Sequence, residues 1–195
     1  MQITHLMKQK TGFNALINKI MNNLKINKAQ ISDAAKIQTI GRITFSETFS
    51  DVNSEENMVK YLEESFALEK LTAELSNPSS FFYLAEMEGK VIGYLKLNTG
   101  NAQTEKQENN ALEIERIYVL KEFHGKKVAQ ALYDQALKTA LEINAQYIWL
   151  GVWEKNFRAV RFYTKNGFEQ FDTHIFKLGD DEQTDLMMKK VLAHE

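Results

Sequence analysis

The sequence predicts an α/β fold: a mixed, mostly antiparallel sheet of about seven strands with flanking helices. Helical and extended hydrophobic patterns alternate regularly from Leu24 onward. In the middle of the chain, a long amphipathic helix lies between two strand-like segments, which predicts a parallel pair with a right-handed crossover. The chain has 195 residues, of which 44% are hydrophobic, so it is long enough for one domain with a sizeable core.

The first 22 residues have a different pattern from the rest of the chain. Thr11 could cap a helix there, and apolar residues recur at helical spacing: Phe13, Leu16, Ile17, Ile20, Met21 and Leu24. Polar residues interrupt the apolar run that a signal peptide would need. We therefore predict an extension over residues 1–22, either an amphipathic helix docked on the domain or a partner, or a frayed tail. One domain then covers residues 23–195.

The first elements of this domain precede Pro78, the single proline of the chain. Alternating side chains predict a strand over 24–29. Ser32 and Asp33 are placed to cap a helix. Its predicted apolar side consists of Ile37, Ile40 and Ile43. A second helical region begins after the capping residue Ser54 and ends just before the proline, where a helix cannot continue.

For the rest of the chain the pattern predicts six strands and two helices between them. The predicted strands are 81–86, 91–97, 112–119, 146–152, 168–178 and 186–192. Glu88–Gly89 joins the first two as a hairpin, and residues 98–110 form a polar loop. The long helix carries an unbroken apolar stripe: Ala129, Leu132, Tyr133, Ala136, Leu137, Ala140 and Leu141. A short helix with Ala159, Phe162 and Tyr163 on one face ends at Asn166–Gly167.

Composition excludes several classes of function. The chain has 24 Lys and Arg against 26 Asp and Glu, which argues against a protein that coats nucleic acid or anionic lipid. No apolar run approaches the ~20 residues that span a bilayer. The absence of cysteine excludes disulfides and thiolate sites and fits a reducing cytosol, so we expect a cytoplasmic protein. The histidines lack ligand spacing, so no metal site is predicted: His5, His124, His174 and His194.

The segment where the long helix begins has the clearest chemical pattern. A strand over 113–119 runs into a turn that contains Gly125, Lys126 and Lys127. Backbone amides at a helix start are unpaired and carry partial positive charge, so such a turn suits a phosphate or pyrophosphate. Many strand-to-helix turns contain a glycine and lysines without binding phosphate, so both interpretations stay open on these residues alone.

The order and spacing of two motifs resemble the GNAT superfamily of N-acetyltransferases. The superfamily's Gln/Arg-x-x-Gly-x-Gly/Ala motif corresponds here to residues 124–129, which read His-Gly-Lys-Lys-Val-Ala. Its later motif corresponds to Asn156, Ala159, Phe162–Tyr163 and Gly167–Phe168. Four tracts are similar to the PaiA-type spermidine/spermine N-acetyltransferases: residues 47–49, 112–118, 148–156 and 179–185. The resemblance covers nearly the whole chain from Leu24 and implies that the fourth and fifth strands splay apart.

The resemblance implies that the chain binds acetyl-CoA. The amides of the turn and helix start would hold the pyrophosphate: Gly125, Lys126, Lys127, Val128 and Ala129. The backbone of Ile117, Tyr118 and Val119 would pair with the pantetheine arm as an added strand. Asn156 would bind the pantetheine side, and Lys165 a phosphate of the nucleotide.

Two residues depart from the superfamily's motif. His124 replaces the usual Gln or Arg, a change with little expected effect because backbone amides do most of the binding. Lys127 replaces the glycine where the backbone comes closest to the phosphates. Its side chain could crowd the cofactor or swing outward and supply a positive charge.

The resemblance also implies a reaction and its groups. Tyr163 occupies the general-acid position, although it could simply be a core tyrosine. Glu113 and Glu115 lie two apart on a strand and share a face, so either could act as base or anchor a cationic acceptor, or pair with Arg116, lysine or solvent. Glu47 and Trp153 are candidates for the acceptor pocket.

The implied function is transfer of an acetyl group to a primary amine of a small molecule, by direct attack on the thioester in a ternary complex. Polyamines are the leading acceptors because of the PaiA-like tracts. A catalytically silent acetyl-CoA-binding module, prompted by Lys127, and an acetyltransferase acting on a protein amine are the alternatives. A homodimer is a further expectation for this superfamily.

Overall fold

The computed structural model describes residue 17, residues 19–105, residue 107, residues 110–179 and residues 181–193. Within these residues seven strands form one sheet in the order β1-β2-β3-β4-β5-β7-β6. The strands are β1 (Leu24–Lys28), β2 (Ser80–Met87), β3 (Lys90–Thr99), β4 (Ala111–Val119), β5 (Tyr147–Trp153), β6 (Glu169–Leu178) and β7 (Asp181–Val191). Among these seven described strands, only β4 and β5 pair in parallel. The predicted fold class is therefore confirmed.

Five α-helices with complete boundaries flank this sheet within the described residues: α1 (Ala34–Phe49), α2 (Glu55–Ser65), α3 (Leu68–Ser76), α4 (Val128–Glu142) and α5 (Phe157–Lys165). Alternate residues of β2 belong to two different cores. Tyr83 and Ala85 pack in the core that includes α4, whereas Phe82 and Leu84 pack with the core of α1 to α3. Because successive strand residues point to opposite faces, the sheet separates the two groups of helices.

The apolar side of α1 differs from the prediction at one position. Ile37 and Ile40 are fully buried, but Ile43 is 44% exposed. The buried face continues through Gly41, Thr44 and Phe45 instead. A helix turn has 3.6 residues, so the buried stripe advances by three and four alternately, and a strict spacing of three drifts off the face.

The second predicted helical region is two helices. Ser54 caps α2 as predicted, since its Oγ accepts a hydrogen bond from the Asn57 backbone N–H at 3.2 Å. The helix ends at Ser65, and α3 begins at Leu68. Between them Phe66 is completely buried against α1. Burial of this ring turns the chain, so that α3 can place Leu71 in the same core.

The predicted hairpin between β2 and β3 forms, and β7 is longer than expected. Glu88 and Gly89 both have positive φ, 51° and 79°, which matches a two-residue hairpin turn between β2 and β3. Strand β7 begins at Asp181 rather than at Leu186. The acidic residues Asp181 and Glu182 therefore belong to a strand, while Asp180 lies outside the described residues.

The segment before β1 is helical over residues 19–23, and Ile17 is also helical. Ile20 is 4% exposed and belongs to the core that includes α4. Thr11, Phe13 and Leu16 lie outside the described residues. The division into an extension and a domain at residue 23 remains a prediction.

Candidate active site

Strands β4 and β5 separate after a short stretch of parallel pairing. Residues 111–113 pair with residues 147–149, and β5 then pairs along its whole length with β7 on its other side. Residues 114–119 of β4 therefore have a strand partner only on the β3 side. The opening between the two strands leads into two clefts.

The first opening, which we call the turn cleft, has a volume of about 400 Å³. Its walls come from the end of β4, the turn before α4 and one side of α5: Ile117, Val119, Phe123, His124, Gly125, Lys127, Val128, Ala129, Gln130, Arg158, Ala159, Phe162 and Tyr163. Gly125 and Lys127 have φ values of 75° and 65°. This left-handed backbone places the first amides of α4, from Val128 onward, at the cleft.

A histidine and an arginine fix the shape of the turn cleft. The His124 Nε2–H donates to the Val119 carbonyl at 2.8 Å, and the Arg158 guanidinium donates to His124 Nδ1. Burial and the charge of Arg158 lower the pKa of His124, so the imidazole is neutral at neutral pH. The positive charges at this cleft therefore come from Arg158 and Lys127.

The second opening, which we call the carboxylate cleft, has a volume of about 280 Å³. Carboxylates line it from three directions: Glu113 and Glu115 on β4, Glu105 from the preceding loop and Asp185 on β7. Aromatic side chains form much of its remaining wall: Phe45, Phe49, Tyr61, Tyr118, Trp149, Trp153, Tyr163 and Phe176. The cleft thus combines negative charge with apolar ring surfaces.

Glu113 is only 2% exposed and is held by neutral donors. Its Oε2 accepts hydrogen bonds from Asn98 Nδ2 at 2.9 Å and from the Thr104 backbone N–H at 3.0 Å. The Thr104 hydroxyl donates to the other oxygen. Burial raises the pKa of Glu113 above its usual value of 4.5, more than these hydrogen bonds lower it. A carboxylate with a raised pKa is suited to accept a proton.

Glu115 is held by cations instead. Its Oε2 lies 2.6 Å from Lys96 Nζ, and its Oε1 lies 3.3 Å from Arg116 Nε. Burial alone would raise the pKa of Glu115, but the charges of Arg116 and Lys96 lower it. The same Asn98 amide that binds Glu113 also donates to Glu115 at 2.5 Å. The two glutamates therefore lie together, as their spacing predicts, but in different electrostatic states.

Three side chains line both clefts: Ile117, Ala159 and Tyr163. Tyr163 is 6% exposed, and burial raises the pKa of its phenol well above the usual value of 10.0. The phenol therefore stays protonated at neutral pH, the state that a proton donor requires. Asn156 lines the carboxylate cleft and caps α5, since its Oδ1 accepts from the Ala159 backbone N–H at 3.2 Å.

Several predicted site residues lie elsewhere. Glu47 is exposed and accepts a hydrogen bond from the Lys121 backbone N–H at 2.8 Å, so it supports the turn rather than lining the carboxylate cleft. The Lys126 ammonium lies over the Phe123 ring. Tyr118 stacks on Tyr94 and contributes to the carboxylate cleft. Lys165 is exposed at the C-terminal end of α5 and lines neither cleft.

The lining residues that the sequence pattern did not identify include four with ionisable side chains: Arg158, Glu105, His174 and Asp185. Asp185 lies one residue before the predicted start of its strand, so its inward position was not recognised. The alternation of Gln183, Asp185 and Met187 on one face of β7 is the signal that could have revealed it. Arg158 lies in the first turn of α5, next to the motif residue Ala159.

The described residues contain neither a cluster of three or more potential metal ligands nor a helix long and apolar enough to cross a bilayer. Trp149 is fully buried, and its indole N–H donates to Gln103 at 2.6 Å. Trp153 lies in the wall of the carboxylate cleft and contacts Phe49. Trp149 thus belongs to the core, and Trp153 belongs to the wall of the carboxylate cleft.

Three comparisons relate the chain to known proteins. The model of the acetyltransferase (GNAT) family matches residues 44–168. A relative from Lactobacillus delbrueckii subsp. lactis, named an uncharacterized N-acetyltransferase in the pepI 3′ region, is 42% identical over 173 residues, which cover 89% of this chain and 100% of the relative. Spermidine N(1)-acetyltransferase of Thermoplasma acidophilum is 27% identical over 172 residues, which cover 86% of this chain and 97% of that enzyme.

A solved structure extends the likeness to three dimensions. The crystal structure of PaiA N-acetyltransferase from Thermoplasma acidophilum in complex with coenzyme A is 26% identical and has a TM-score of 0.73. The match covers 87% of this chain and 99% of that one. The GNAT family match itself includes β4, α4 and α5, the elements that form the turn cleft.

Proposed function

The chain belongs to the acetyltransferase (GNAT) family and is an N-acetyltransferase that uses acetyl-CoA, and we propose that its acceptor is a primary amine of a polyamine such as spermidine or spermine. The observation that carries this proposal is the charge of the carboxylate cleft. Among the described residues that line it, four are carboxylates and one is a guanidinium. Glu115 and Arg116 pair with each other, which leaves Glu105, Glu113 and Asp185 to face a cationic acceptor.

The turn cleft has the features needed for the acetyl donor. The edge of β4 without a strand partner offers the backbone groups of Ile117 and the amide of Val119 to an extended pantetheine arm, while the Val119 carbonyl accepts from His124. The left-handed turn presents the first amides of α4 toward phosphates, and Arg158 adds a positive charge. Lys127 adopts the backbone conformation for which glycine is usual, so the turn keeps its shape with a lysine in place.

The two clefts meet at Tyr163, which supports direct transfer in a ternary complex. Acetyl-CoA supplies the thioester carbonyl that the neutral amine nitrogen attacks, so that a C–N bond forms and the C–S bond breaks. Glu113 takes the proton that the nitrogen loses, directly or through water. Tyr163 donates its phenolic proton to the departing sulfur, and both residues then exchange protons with solvent.

The relative from Thermoplasma acidophilum supports the choice of acceptor, because its name assigns it spermidine. That relative is 27% identical to this chain. The carboxylates of the cleft support a cationic acceptor independently of the relative's name. A cytoplasmic location and a homodimer remain predictions.

The test is thiol release from acetyl-CoA by the purified protein with spermidine, spermine, free amino acids or a lysine-containing peptide, together with calorimetry of acetyl-CoA alone. We expect release that depends on the polyamines. Release with the peptide alone would assign a protein amine as acceptor instead. Binding without release across the panel would indicate a silent module, and absence of binding would mean that Lys127 closes the phosphate site.

A further inference from the structure

Three polar side chains from the β6–β7 hairpin line the carboxylate cleft but have no part in the transfer chemistry described above. His174 on β6 and Asp185 on β7 are cross-strand partners. Gln183 lies two residues before Asp185 and so points to the same face of β7. Together they form what we call the hairpin cluster: His174, Gln183 and Asp185.

The hairpin cluster holds acceptor atoms without protein donors. Gln183 is 6% exposed, and its amide NH₂ donates to Asn53 Oδ1 at 3.2 Å and to Asp181 Oδ2 at 3.0 Å. These two bonds fix the orientation of the amide, and its buried Oε1 has no partner among the described residues. The buried Nδ1 of His174 has none either, and it is an acceptor in the neutral imidazole with the proton on Nε2. Unpaired buried acceptors are costly, so a ligand that brings hydrogen-bond donors would be stabilised here.

The Asp185 carboxylate adds negative charge at the same place. Burial raises the pKa of Asp185 above its usual value of 3.8, although the neighbouring His174 opposes this effect. The ionised carboxylate is thus poorly solvated, and a bound cation would compensate for the lost water. An alkylammonium group combines the positive charge and the several N–H donors that these acceptor atoms require.

The position of the cluster relative to Glu113 is set by β5. Trp149 on β5 lies directly opposite Glu113, and Gly151 follows two residues further along, roughly 6.6 Å at the usual strand rise. A Cβ atom on Gly151 would lie 3.3 Å from His174 Cε1 and 3.5 Å from Asp185 Oδ2. The cluster therefore sits above Gly151, a short alkyl chain away from the carboxylate that faces the reacting nitrogen.

Aromatic rings cover the wall beside the hairpin cluster. Phe176 lies next to Gln183 as its cross-strand partner, and its ring contacts that of Tyr61 at 6.0 Å between centroids. Trp153 contacts Phe49 at the same separation, 6.0 Å. Such rings can pack against methylene groups and attract a nearby ammonium.

We propose that His174, Gln183 and Asp185 form a second ammonium subsite, which holds the non-reacting nitrogen of a diamine or polyamine while the reacting nitrogen lies at Glu113. This inference rests on the proposed function, because it assumes an aliphatic amine as acceptor. It adds a reason for selectivity: a monoamine can fill only the reactive position, whereas a diamine fills both.

The test compares kcat/KM for putrescine with kcat/KM for n-butylamine, which has the same carbon chain and only one nitrogen. We expect the wild-type protein to prefer putrescine, and Asp185→Asn to reduce that preference by roughly 10- to 100-fold, the size of a lost hydrogen bond to a charged group. The readout is the ratio of the two values, because the two amines share the reactive position and only putrescine has a second nitrogen at Asp185. Glu182→Gln is the matched control, because it removes the same charge from an exposed neighbour on β7 that lines neither cleft.

A second variant changes the subsite through a residue on β5 instead of β7. Gly151→Ala places a methyl group against His174 and Asp185, so it should also lower the preference for putrescine over n-butylamine. An unchanged preference in folded Asp185→Asn and Gly151→Ala proteins, checked by thermal melting, would overturn the subsite, as would an equal loss for both amines. Failure of every aliphatic amine in the wild-type protein would instead refute the proposed function.

Discussion

The position of Tyr163 favours a catalytic role for this residue over a purely structural one. Its phenol lines both clefts, and burial keeps it protonated. We expect Tyr163→Phe to lower kcat by roughly 10²- to 10⁴-fold, the usual contribution of a positioned proton donor, because the ring remains and only the proton is lost. The dissociation constant of coenzyme A, measured by calorimetry, should stay within about twofold of wild type, since the variant changes no phosphate contact.

The control for Tyr163 is a second buried tyrosine. Tyr133→Phe removes a hydroxyl that accepts a hydrogen bond from Lys190 at 3.1 Å and lines neither cleft. This variant should lose some stability and keep its kcat. Equal kcat values in the two variants would instead assign Tyr163 a structural role in the core.

Glu113 leads to a prediction about pH. A base acts when deprotonated, so kcat/KM should fall as the pH drops through the pKa of Glu113, which burial places above its usual value of 4.5. Glu113→Gln should remove this acidic limb together with most of the activity. Glu115→Gln should leave the limb in place, because Arg116 and Lys96 lower the pKa of Glu115 and keep it ionised across the same range. The pH–rate profiles of the three proteins provide the measurement.

The sequence could predict the glutamate pair but not the difference between its members. Their spacing places both on one face of β4, and both bind Asn98. The difference between their pKa values depends on Lys96, which lies on β3. The register of β3 against β4 brings Lys96 into contact with Glu115. That register contains a bulge, because Lys96 pairs with Arg116 whereas Leu97 pairs with Ile114. A bulge that tertiary packing selects cannot be read from one sequence.

The turn before α4 is the element in which the sequence departs most from its family motif. Lys127 has a φ of 65°, where a residue with a side chain costs roughly 1–2 kcal/mol relative to glycine. Lys127→Gly should therefore raise the stability of the free protein by up to ~1 kcal/mol, after the entropy that glycine loses on folding. The same change should weaken coenzyme A binding several-fold in low salt, because it removes a positive charge from the turn cleft.

Two variants separate charge from backbone in this turn. Lys126→Ala removes an equal charge that lies over the Phe123 ring, so it should affect coenzyme A binding less than Lys127→Gly. Gly125→Ala should destabilise the protein because its φ is 75°, a conformation that disfavours a side chain. The added methyl group has no atom within 4 Å, so this loss would come from the backbone alone. Tighter coenzyme A binding by Lys127→Gly would mean that the lysine crowds the cofactor.

The contact between α1 and the α2–α3 junction explains why one predicted helix is two. Residues 65–70 could continue a helix by propensity, so the break could not be predicted locally. It arises because Phe66 packs directly on Gly41, where a Cβ atom would overlap its ring. Gly41→Ala should thus destabilise the protein by about 1–3 kcal/mol in urea unfolding, the usual cost of overpacking.

A double variant identifies the cause of that loss. Phe66→Leu creates space at the junction, so adding Gly41→Ala to it should cost much less than Gly41→Ala alone. Additive losses in the two variants would indicate that the methyl group interferes with something other than the ring.

At the scale of the whole molecule, a buried ionic network links the helices of one face to the edge of the opening. Glu74 on α3 lies 2.9 Å from Lys96 on β3, which in turn contacts Glu115 on β4. Asn98 joins this chain to Glu113. Glu113 and Glu115 are therefore held in place by α3, β3 and β4, and Glu113 is pre-organised for a cationic acceptor without rearrangement.

The segment before β1 tests where the folded unit begins. Ile20 is 4% exposed and packs in the core with α4, whereas Lys19 beside it is exposed. Ile20→Ala should lower the free energy of unfolding by about 2–5 kcal/mol, the usual range for a buried isoleucine, and Lys19→Ala by less than ~0.5 kcal/mol.

Removal of residues 1–22 should cost at least as much as Ile20→Ala, because it removes the same side chain together with Ile17. If the shortened protein instead unfolds at the same urea concentration and keeps its kcat, residues 1–22 are a tail, and the domain begins at residue 23 as the sequence pattern predicts. A loss shared by Ile20→Ala and the shortened protein, but not by Lys19→Ala, would make this segment part of the core that supports α4 and the turn cleft at its start.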